Sequence, residues 1–395
     1  MTQLNEANFQ EELQGSLTDD PDFLRDILRA ALQEFLESEF SAFIGAAPSQ
    51  RIESRVGYRC GHYQRGLITR VGTLDLNVPR DRDGVFSTQL FDRYQRNEKA
   101  LVLAIMESYV QGVSTRRIKK ITEALCGVSF SKSQVSELAK GLDEALAIWR
   151  NRPLQAHYSV LYVDGMYSKV REERRVVKQY ALVVLGICPD GTREVLGTSI
   201  VHEENEAEYH DLFRDLKRRG VRKVDLIVSD AHIGLKAAIV RGFPGSAWQR
   251  CLFHFIRNLI QKFPKRHQQD IRMRVLLALQ QHDQVSGEKA ILDIAVDVAR
   301  YSSDLADWLE QAAAEITAHM EFPRKLWKCI RSNNLLERFN KELRRRERVV
   351  GIFPNQASAL RLISALAAEK DDEWRSARRY LDPELLQKIQ MRKAS

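Results

Sequence analysis

The 395-residue chain has little of what marks a secreted or membrane protein. Its five cysteines, Cys60, Cys126, Cys188, Cys251 and Cys329, are odd in number, scattered and without a CxxC pair. Neither a disulfide framework nor a zinc ribbon is indicated, and this usage suits a reducing compartment. The N-terminus is acidic and has no arginine-rich stretch followed by an apolar run, so no signal peptide is expected. No segment approaches the roughly 20 apolar residues that a membrane span needs. The expectation is a cytoplasmic protein with no membrane partner.

What the chain does have is positive charge, unevenly spread. The net charge is +8, yet residues 1–50 hold ten acids against Arg25 and Arg29, which makes the remainder about +16. A basic body behind an acidic leader points to a polyanionic partner. A soluble protein of high isoelectric point would share this composition. Hydrophobic residues make up 44%, enough for real cores, and the length suits roughly two to four domains.

Residues 21–45 place Phe23, Leu24, Ile27, Leu28, Ala31, Leu32, Phe35, Leu36 and Phe40 at helical spacing on an acidic helix. So wide a stripe must bury, and with little helix nearby a partner subunit is the expected cover. Residues 56–90 alternate apolar and polar positions, and Val71, Leu74, Leu76 and Val78 read as one face of a short hairpin turning near Gly72. Helical periodicity returns over 97–150. There a helix from Thr115 to Leu125, a turn at Gly127 and a second helix capped by Ser131 have the form of a helix-turn-helix. Arg116, Arg117, Lys119 and Lys120 make it basic and mark it for DNA, although an ordinary helical hairpin has the same pattern.

The centre reads as strands at 158–170, 177–188 and 192–203, a helix capped by Asn205 and ended by Gly220, and a fourth strand ending at Asp230. A helix and a fifth short strand near Ala247 follow. Three hairpin-linked strands, then helix–strand–helix–strand, is the element order of the RNase H-like fold. Residues 255–325 are helical throughout, and further helices begin at 332 and 356.

Three positions carry the chemistry. Asp164 interrupts a buried strand, where a charge is costly unless it is paired or metal-bound; Gly165 beside it leaves room for a close approach. Asp230 ends an inner strand, where open α/β sheets bind ligands, and could equally cap the next helix. If strands one and four are neighbours, the two aspartates lie side by side and a shared cation relieves their repulsion. A third acid must come from the segment 331–348, which offers Glu337, Glu342 and Glu347 among seven basic residues. Asn333 or Asn334 would cap that helix. Such a helix gives a carboxylate to a metal and cations to phosphates, although a solvated, salt-bridged helix reads the same. Phosphodiester chemistry of this kind uses two Mg²⁺ ions, hard cations that take oxygen ligands; Mn²⁺ is the expected substitute.

The strings YVDGMY (162–167), VSDAHIGLKAAI (228–239), QRCLFHFIRNL (249–259) and NNLLERFNKELRRRERVVGIFPN (333–355) resemble the mutator-type transposases of bacterial insertion sequences. GLITRVGTLDLNVPRDRDG (66–84) adds to the likeness, which runs from about residue 50 to 375. The resemblance implies Asp164, Asp230 and Glu337 as the catalytic, metal-holding acids, and an RNase H-like domain with an all-helical insertion before the final glutamate. That insertion accounts for the 107 positions between Asp230 and Glu337. It also flags Cys251 and His254 as a CxxH element. No second ligand pair lies near, so a structural role, or a place for His254 beside the site and DNA, is expected in preference to zinc. Trp248, Arg250, Arg257 and Trp327 are candidates to stack on or steer DNA, with the two tryptophans equally readable as core.

The implied activity is a DNA transposase that binds the terminal inverted repeats of its element, cleaves DNA with metal and transfers the strand. Double-stranded DNA is the partner, a homodimer would hold two ends, no small-molecule substrate is needed, and the setting is the nucleoid. Arg338, Lys341, Arg344, Arg345 and Arg346 join the basic residues of the helix-turn-helix as expected DNA contacts. The expected fold is a mixed five-stranded sheet with flanking helices, preceded by a mainly α region with a small β hairpin. Segment boundaries are an acidic helical region for dimerisation (1–55), a small β region (56–95), a DNA-binding region (96–150), the first catalytic part (151–254), the insertion (255–325), the last catalytic part (326–375) and a tail (376–395). The same acids would serve another RNase H-like nuclease such as a resolvase, or persist in an inactive DNA-binding relic.

Overall fold

Alternating and helical patterns resolve into two units in the computed structural model, which describes residues 23–50, 55–69, 71–88, 90, 99–126 and 129–387. The division falls between Gly141 and Leu142, inside the 96–150 segment. The acids preceding Phe23 and the turn at Gly127 lie outside the described residues.

The first unit holds α1 (Phe23–Ile44), β1 (Arg59–Thr69), β2 (Gly72–Asp81), α2 (Lys99–Val110), α3 (Thr115–Cys126) and α4 (Lys132–Lys140). β1 and β2 form an antiparallel hairpin. Leu74, Leu76 and Val78 alternate onto one face and bury with Leu67 and with Leu36 of α1. The stripe on α1 thus finds cover within its own chain, because the hairpin presents a complementary apolar face. Leu36, Phe40 and Ile44 are fully buried, whereas Leu24, Ile27, Phe35 and Phe43 stay exposed. Val71 sits in the turn and not on the strand face; its N–H is held by Thr69 Oγ1 at 3.2 Å. Ile118 of α3 and Val135 of α4 share a core with Leu101, Ile105 and Phe130. α4 begins with a capping box: Ser131 Oγ accepts the Gln134 N–H at 3.2 Å and Gln134 Oε1 accepts the Ser131 N–H at 2.8 Å.

The second unit opens with α5 (Asp143–Arg150), then β3 (His157–Glu172), β4 (Arg175–Ile187), β5 (Arg193–Val201), α6 (Glu206–Arg218), β6 (Lys223–Ser229), α7 (Ile233–Gly242) and β7 (Ala247–Arg250). Helices α8 (Leu252–Lys262), α9 (Gln268–Ala278), α10 (Gln284–Ala299) and α11 (Ser303–Thr317) follow. After two short 3₁₀ turns come α12 (Trp327–Ile330), α13 (Asn334–Val350) and α14 (Gln356–Ser376). The sheet order is β5-β4-β3-β6-β7. β3–β4 and β4–β5 are antiparallel, while β3–β6 and β6–β7 are parallel, a mixed five-stranded sheet as expected.

Both faces of this sheet are covered, which is why its inner strands are apolar almost without break. One face buries Val160, Tyr162, Met166 and Val183 under Leu336, Phe339 and Leu343 of α13 and Leu362 and Leu366 of α14. The other buries Leu161, Val163 and Ile227 under Phe213 and Leu216 of α6 and Leu235 and Ile239 of α7. Asn205 caps α6, its Oδ1 accepting the Glu208 N–H at 3.0 Å. Gly220 then turns the chain back at φ +122, where a Cβ would meet the Leu154 carbonyl oxygen at 2.8 Å, so only glycine fits. Helices α8 to α11 enclose a separate core around Phe255, Leu259, Val275, Ile291 and Leu309. Among the described residues no helix is long and apolar enough to cross a membrane.

Candidate active site

The parallel register of β3 and β6 pairs Tyr162 with Val228. Two residues further along each chain stand Asp164 and Asp230, side by side where β6 ends and β3 runs on. Alternation puts Asp164 on the face of Tyr162 and Met166, under α13. Its side chain is nearly sequestered, at 9% exposure. Asn340 Nδ2 donates to Asp164 Oδ2 at 2.8 Å, and the Gly165 N–H donates to Oδ1 at 3.1 Å. Burial first, then the charge of Asp230, push the Asp164 carboxyl up to about 7; Glu204 and Glu337 add to this and the Gly165 amide opposes it. Asp230 Oδ1 accepts the His232 N–H at 3.3 Å.

Glu337 enters from the first turn of α13. Its Oε1 is buried and has no hydrogen-bond partner. Burial raises its carboxyl, against the pull of Arg257. His254 Nε2 stands 3.9 Å from that oxygen. Burial holds the imidazole below its ordinary pKa, opposed by Asp230, so at neutral pH the approach is a contact of a neutral ring and not an ion pair. The other two glutamates of α13 are engaged. Glu342 is held low by hydrogen bonds from Arg345, and Glu347 accepts from the Ser168 hydroxyl.

Asp164, Asp230 and Glu337 line one cleft of about 710 Å³, with Phe253, His254 and Asn340 in its wall. Arg257, Arg338, Lys341, Arg344, Arg345 and Arg348 line it too, so three acids lie inside a rim of cations. Arg346 stands apart from the other expected phosphate contacts. It is 3% exposed and pairs with Glu342 at 3.3 Å and Glu369 at 3.2 Å. The reason is helical phase: Leu336, Phe339 and Leu343 set the inward face of α13, and position 346 falls on it. Arg116, Arg117, Lys119 and Lys120 are exposed on α3 of the other unit.

The CxxH element is built into the frame of the cleft. Cys251 is fully buried, and its Sγ accepts the Asn333 N–H at 3.3 Å. Its own N–H donates to the Ser229 carbonyl at 2.7 Å, next to Asp230. Asn333 occupies the N-cap of α13, yet its side chain makes no cap bond. It reaches instead to the carbonyl of Val163 at 3.1 Å, next to Asp164, while the Asn333 carbonyl accepts the Glu337 N–H at 2.8 Å. Of the candidate DNA-stacking residues, Trp327 is buried and bonded to the Phe322 carbonyl at 2.7 Å. Trp248 is half-buried, its Nε1 on Ser229 Oγ at 2.9 Å. Arg250 is buried and paired with Glu315 at 3.3 Å, which leaves Arg257 in the cleft wall.

Sequence reasoning missed Asn340, Asn333 in its observed role, and Glu204. The Glu204 carboxylate lies against Gly165. Asn340 follows Leu336 at helical spacing and so was findable; Glu204 sits in a loop where no periodicity marks it. The donor set consists of hard carboxylate oxygens, a buried one of them unpartnered, in a site where burial and the charge of Asp230 raise the Asp164 carboxyl. That fits a divalent cation such as Mg²⁺. Among the described residues no three Asp, Glu, His or Cys side chains are grouped as a ready-made metal site; the acids line a common cleft.

The family model described as "Transposase, Mutator family" matches residues 1–377. The transposase for insertion sequence element ISRM5 of Rhizobium meliloti (strain 1021) is 43% identical over 385 residues, 96% of each chain. The transposase for insertion sequence element IS256 in transposon Tn4001 of Staphylococcus aureus is 40% identical over 394 residues, 97% of this chain and 99% of the relative. Among solved structures, the Drosophila P element transposase strand transfer complex covers 77% of this chain and 85% of its own, with TM-score 0.29 and 12% identity. So slight a likeness carries no weight for fold or site.

Proposed function

Because this chain belongs to the Mutator family of transposases, we propose that its cleft is where the DNA of an insertion-sequence element is cut and joined, with Asp164, Asp230 and Glu337 as the catalytic acids. The observation that carries the reading is their meeting in one cleft. Two aspartates stand abreast on parallel strands, and a glutamate comes from a helix whose other faces bear arginine and lysine. The sheet order supports an RNase H-like catalytic domain, and α8 to α11, with their own core, are read as its helical insertion.

When bound, two Mg²⁺ ions, or Mn²⁺ in their place, would supply positive charge to the attacking and leaving oxygens. The acids would hold them. Asn340 fixes the rotamer of Asp164 by donating to Oδ2, so that the carboxylate does not swing when substrate arrives. Arg338, Lys341, Arg344 and Arg348 hold the DNA phosphates that flank the scissile bond. His254, neutral at pH 7, packs beside Glu337 and limits water at the mouth of the cleft.

Terminal inverted repeats are assigned to the exposed basic face of α3. Two element ends must be held at once, so a homodimer is proposed, with the exposed Leu24, Ile27 and Phe35 of α1 as its contact. DNA as partner puts the protein on the nucleoid.

The test is cleavage of linear DNA carrying the element end. Cleavage and strand transfer are expected with Mg²⁺, only on DNA bearing the end sequence, and not with EDTA. Cutting of branched DNA irrespective of end sequence would point to a resolvase. Binding without any cleavage would point to an inactive relic.

A further inference from the structure

We infer that Glu204 is a fourth acid of this site, giving its carboxylate to the same divalent cations as Asp164, Asp230 and Glu337. This rests on the reading of the cleft given above.

The geometry starts at Gly165. A Cβ on that residue would stand 1.6 Å from Glu204 Oε1 and 2.8 Å from its carboxyl carbon. The Glu204 carboxylate therefore fills the space that any other side chain at 165 would need, one residue along β3 from Asp164. Gly165 is a glycine in the middle of a buried strand, where glycine is unfavourable, and the close approach of Glu204 explains it.

The carboxylate is aimed, not loose. Tyr209 donates its hydroxyl to Glu204 Oε1 at 3.0 Å, and Tyr209 is itself 1% exposed in the core beneath α6. Helix α6 thus holds a half-buried carboxylate against Gly165, within electrostatic reach of both aspartates. Among the described residues no lysine or arginine pairs with Glu204, although carboxylates taken from water are usually paired. The charged and titratable groups that face it are Asp164, Asp230 and His232.

A second set of atoms points to a cation. Asn340 is 8% exposed, lines the cleft and spends its Nδ2 on Asp164, while its Oδ1 has no partner. Glu337 Oε1 is likewise buried and unpartnered. Buried acceptors normally find donors. Here two do not, in a cleft lined by Asp164, Asp230 and Glu337 and by Gly165, against which Glu204 lies, and a hard cation is the partner such oxygens take. Burial, and then the charge of Asp230, raise the Glu204 carboxyl, as the mutual crowding of these acids requires.

The experiment is Mn²⁺ binding to the full chain after removal of divalent metal, read by the electron paramagnetic resonance signal of free Mn²⁺ in the absence of DNA. Wild type, Asp164→Asn, Asp230→Asn, Glu204→Gln, Gly165→Ala and the double variant Gly165→Ala/Glu204→Gln are compared, each checked for folding by circular dichroism. Glu204→Gln is expected to weaken Mn²⁺ binding about 10- to 100-fold. Gly165→Ala is expected to do the same, because the new methyl group displaces the Glu204 carboxylate; its next neighbour, Leu182 Cδ2, is at 3.3 Å. The double variant is expected to match Glu204→Gln within about twofold, since both changes act on one group. Should Glu204→Gln fail to fold, Gly165→Ala alone carries the test, as it keeps every charge. Normal binding by Glu204→Gln and Gly165→Ala, with loss in Asp164→Asn, overturns the role of Glu204 and leaves the cleft reading standing. Normal binding by Asp164→Asn and Asp230→Asn as well overturns both.

Discussion

The backbone N–H of Asn333 donates to Cys251 Sγ at 3.3 Å, joining two residues 82 positions apart. Through this contact the start of α13, which carries Glu337, is fastened to the chain that leaves Asp230. The Asn333 side chain extends the tie to Val163 and hence to Asp164. One fully buried asparagine is thereby bonded to Glu337 and to the residue before Asp164, and through Cys251 to the residue before Asp230. Replacing Asn333 by alanine leaves the Val163 carbonyl without that donor and is expected to cost about 1–3 kcal/mol of stability. Cleavage is expected to fall further than this explains, and not to recover on cooling, since the acids lose their common anchor. Urea melts and single-turnover cleavage at two temperatures check both parts.

Arg346 and Arg344 lie two residues apart on α13 and should fail in opposite ways. Arg346 is buried against the part-exposed Glu342 and Glu369, so Arg346→Ala removes a packed side chain together with its hydrogen bonds. The expected cost is about 1–3 kcal/mol. Arg344 is exposed in the cleft wall. Arg344→Ala should leave the melting temperature near wild type, weaken DNA binding at low salt, and lower the slope of log affinity against log salt by about 1. Equal melting temperatures for the two variants would contradict this division.

His319 makes a pH prediction away from the cleft. It is fully buried, with Nδ1 3.0 Å from Gln249 Oε1 and 3.1 Å from the Ile316 carbonyl. Burial, assisted by Arg331, lowers its pKa to about 4 from the ordinary 6.5. A base depressed in the folded state adds stability that is present above pH 6.5 and lost as pH falls through 4. Wild type is therefore expected to lose stability across that window. His319→Asn, which cannot charge, should show a flatter profile, with the gap between the two shrinking as the pH falls. Parallel profiles would mean that His319 is not charged by unfolding.

Much of this molecule was legible in the residues. Apolar runs located the sheet strands, and Ser131 and Asn205 cap their helices as their chemistry requires. The pairing of strands that sets Asp164 beside Asp230 follows from element order. Chain order alone could not separate Glu337 from Glu342 and Glu347, because all three lie on one basic helix. Their partners separate them: Arg345 takes Glu342, Ser168 takes Glu347, and Glu337 keeps a free oxygen. What was illegible is what only tertiary contact decides. Asn333 has the chemistry of a cap and spends its side chain on a strand instead. The α1 stripe asked for a partner, and the hairpin that follows it in the same chain supplies much of one.

The measurement that bears most directly on the three acids is single-turnover cleavage of element-end DNA in Mg²⁺. It compares Asp164→Ala, Asp230→Ala and Glu337→Ala with Glu342→Ala and Glu347→Ala at matched folded fraction. The first three are expected to fall roughly a thousandfold or more, about 4 kcal/mol of lost transition-state stabilisation. The last two are expected to stay within about tenfold of wild type. Retention of cleavage by Glu337→Ala, or its loss in Glu342→Ala or Glu347→Ala alone, would contradict the assignment.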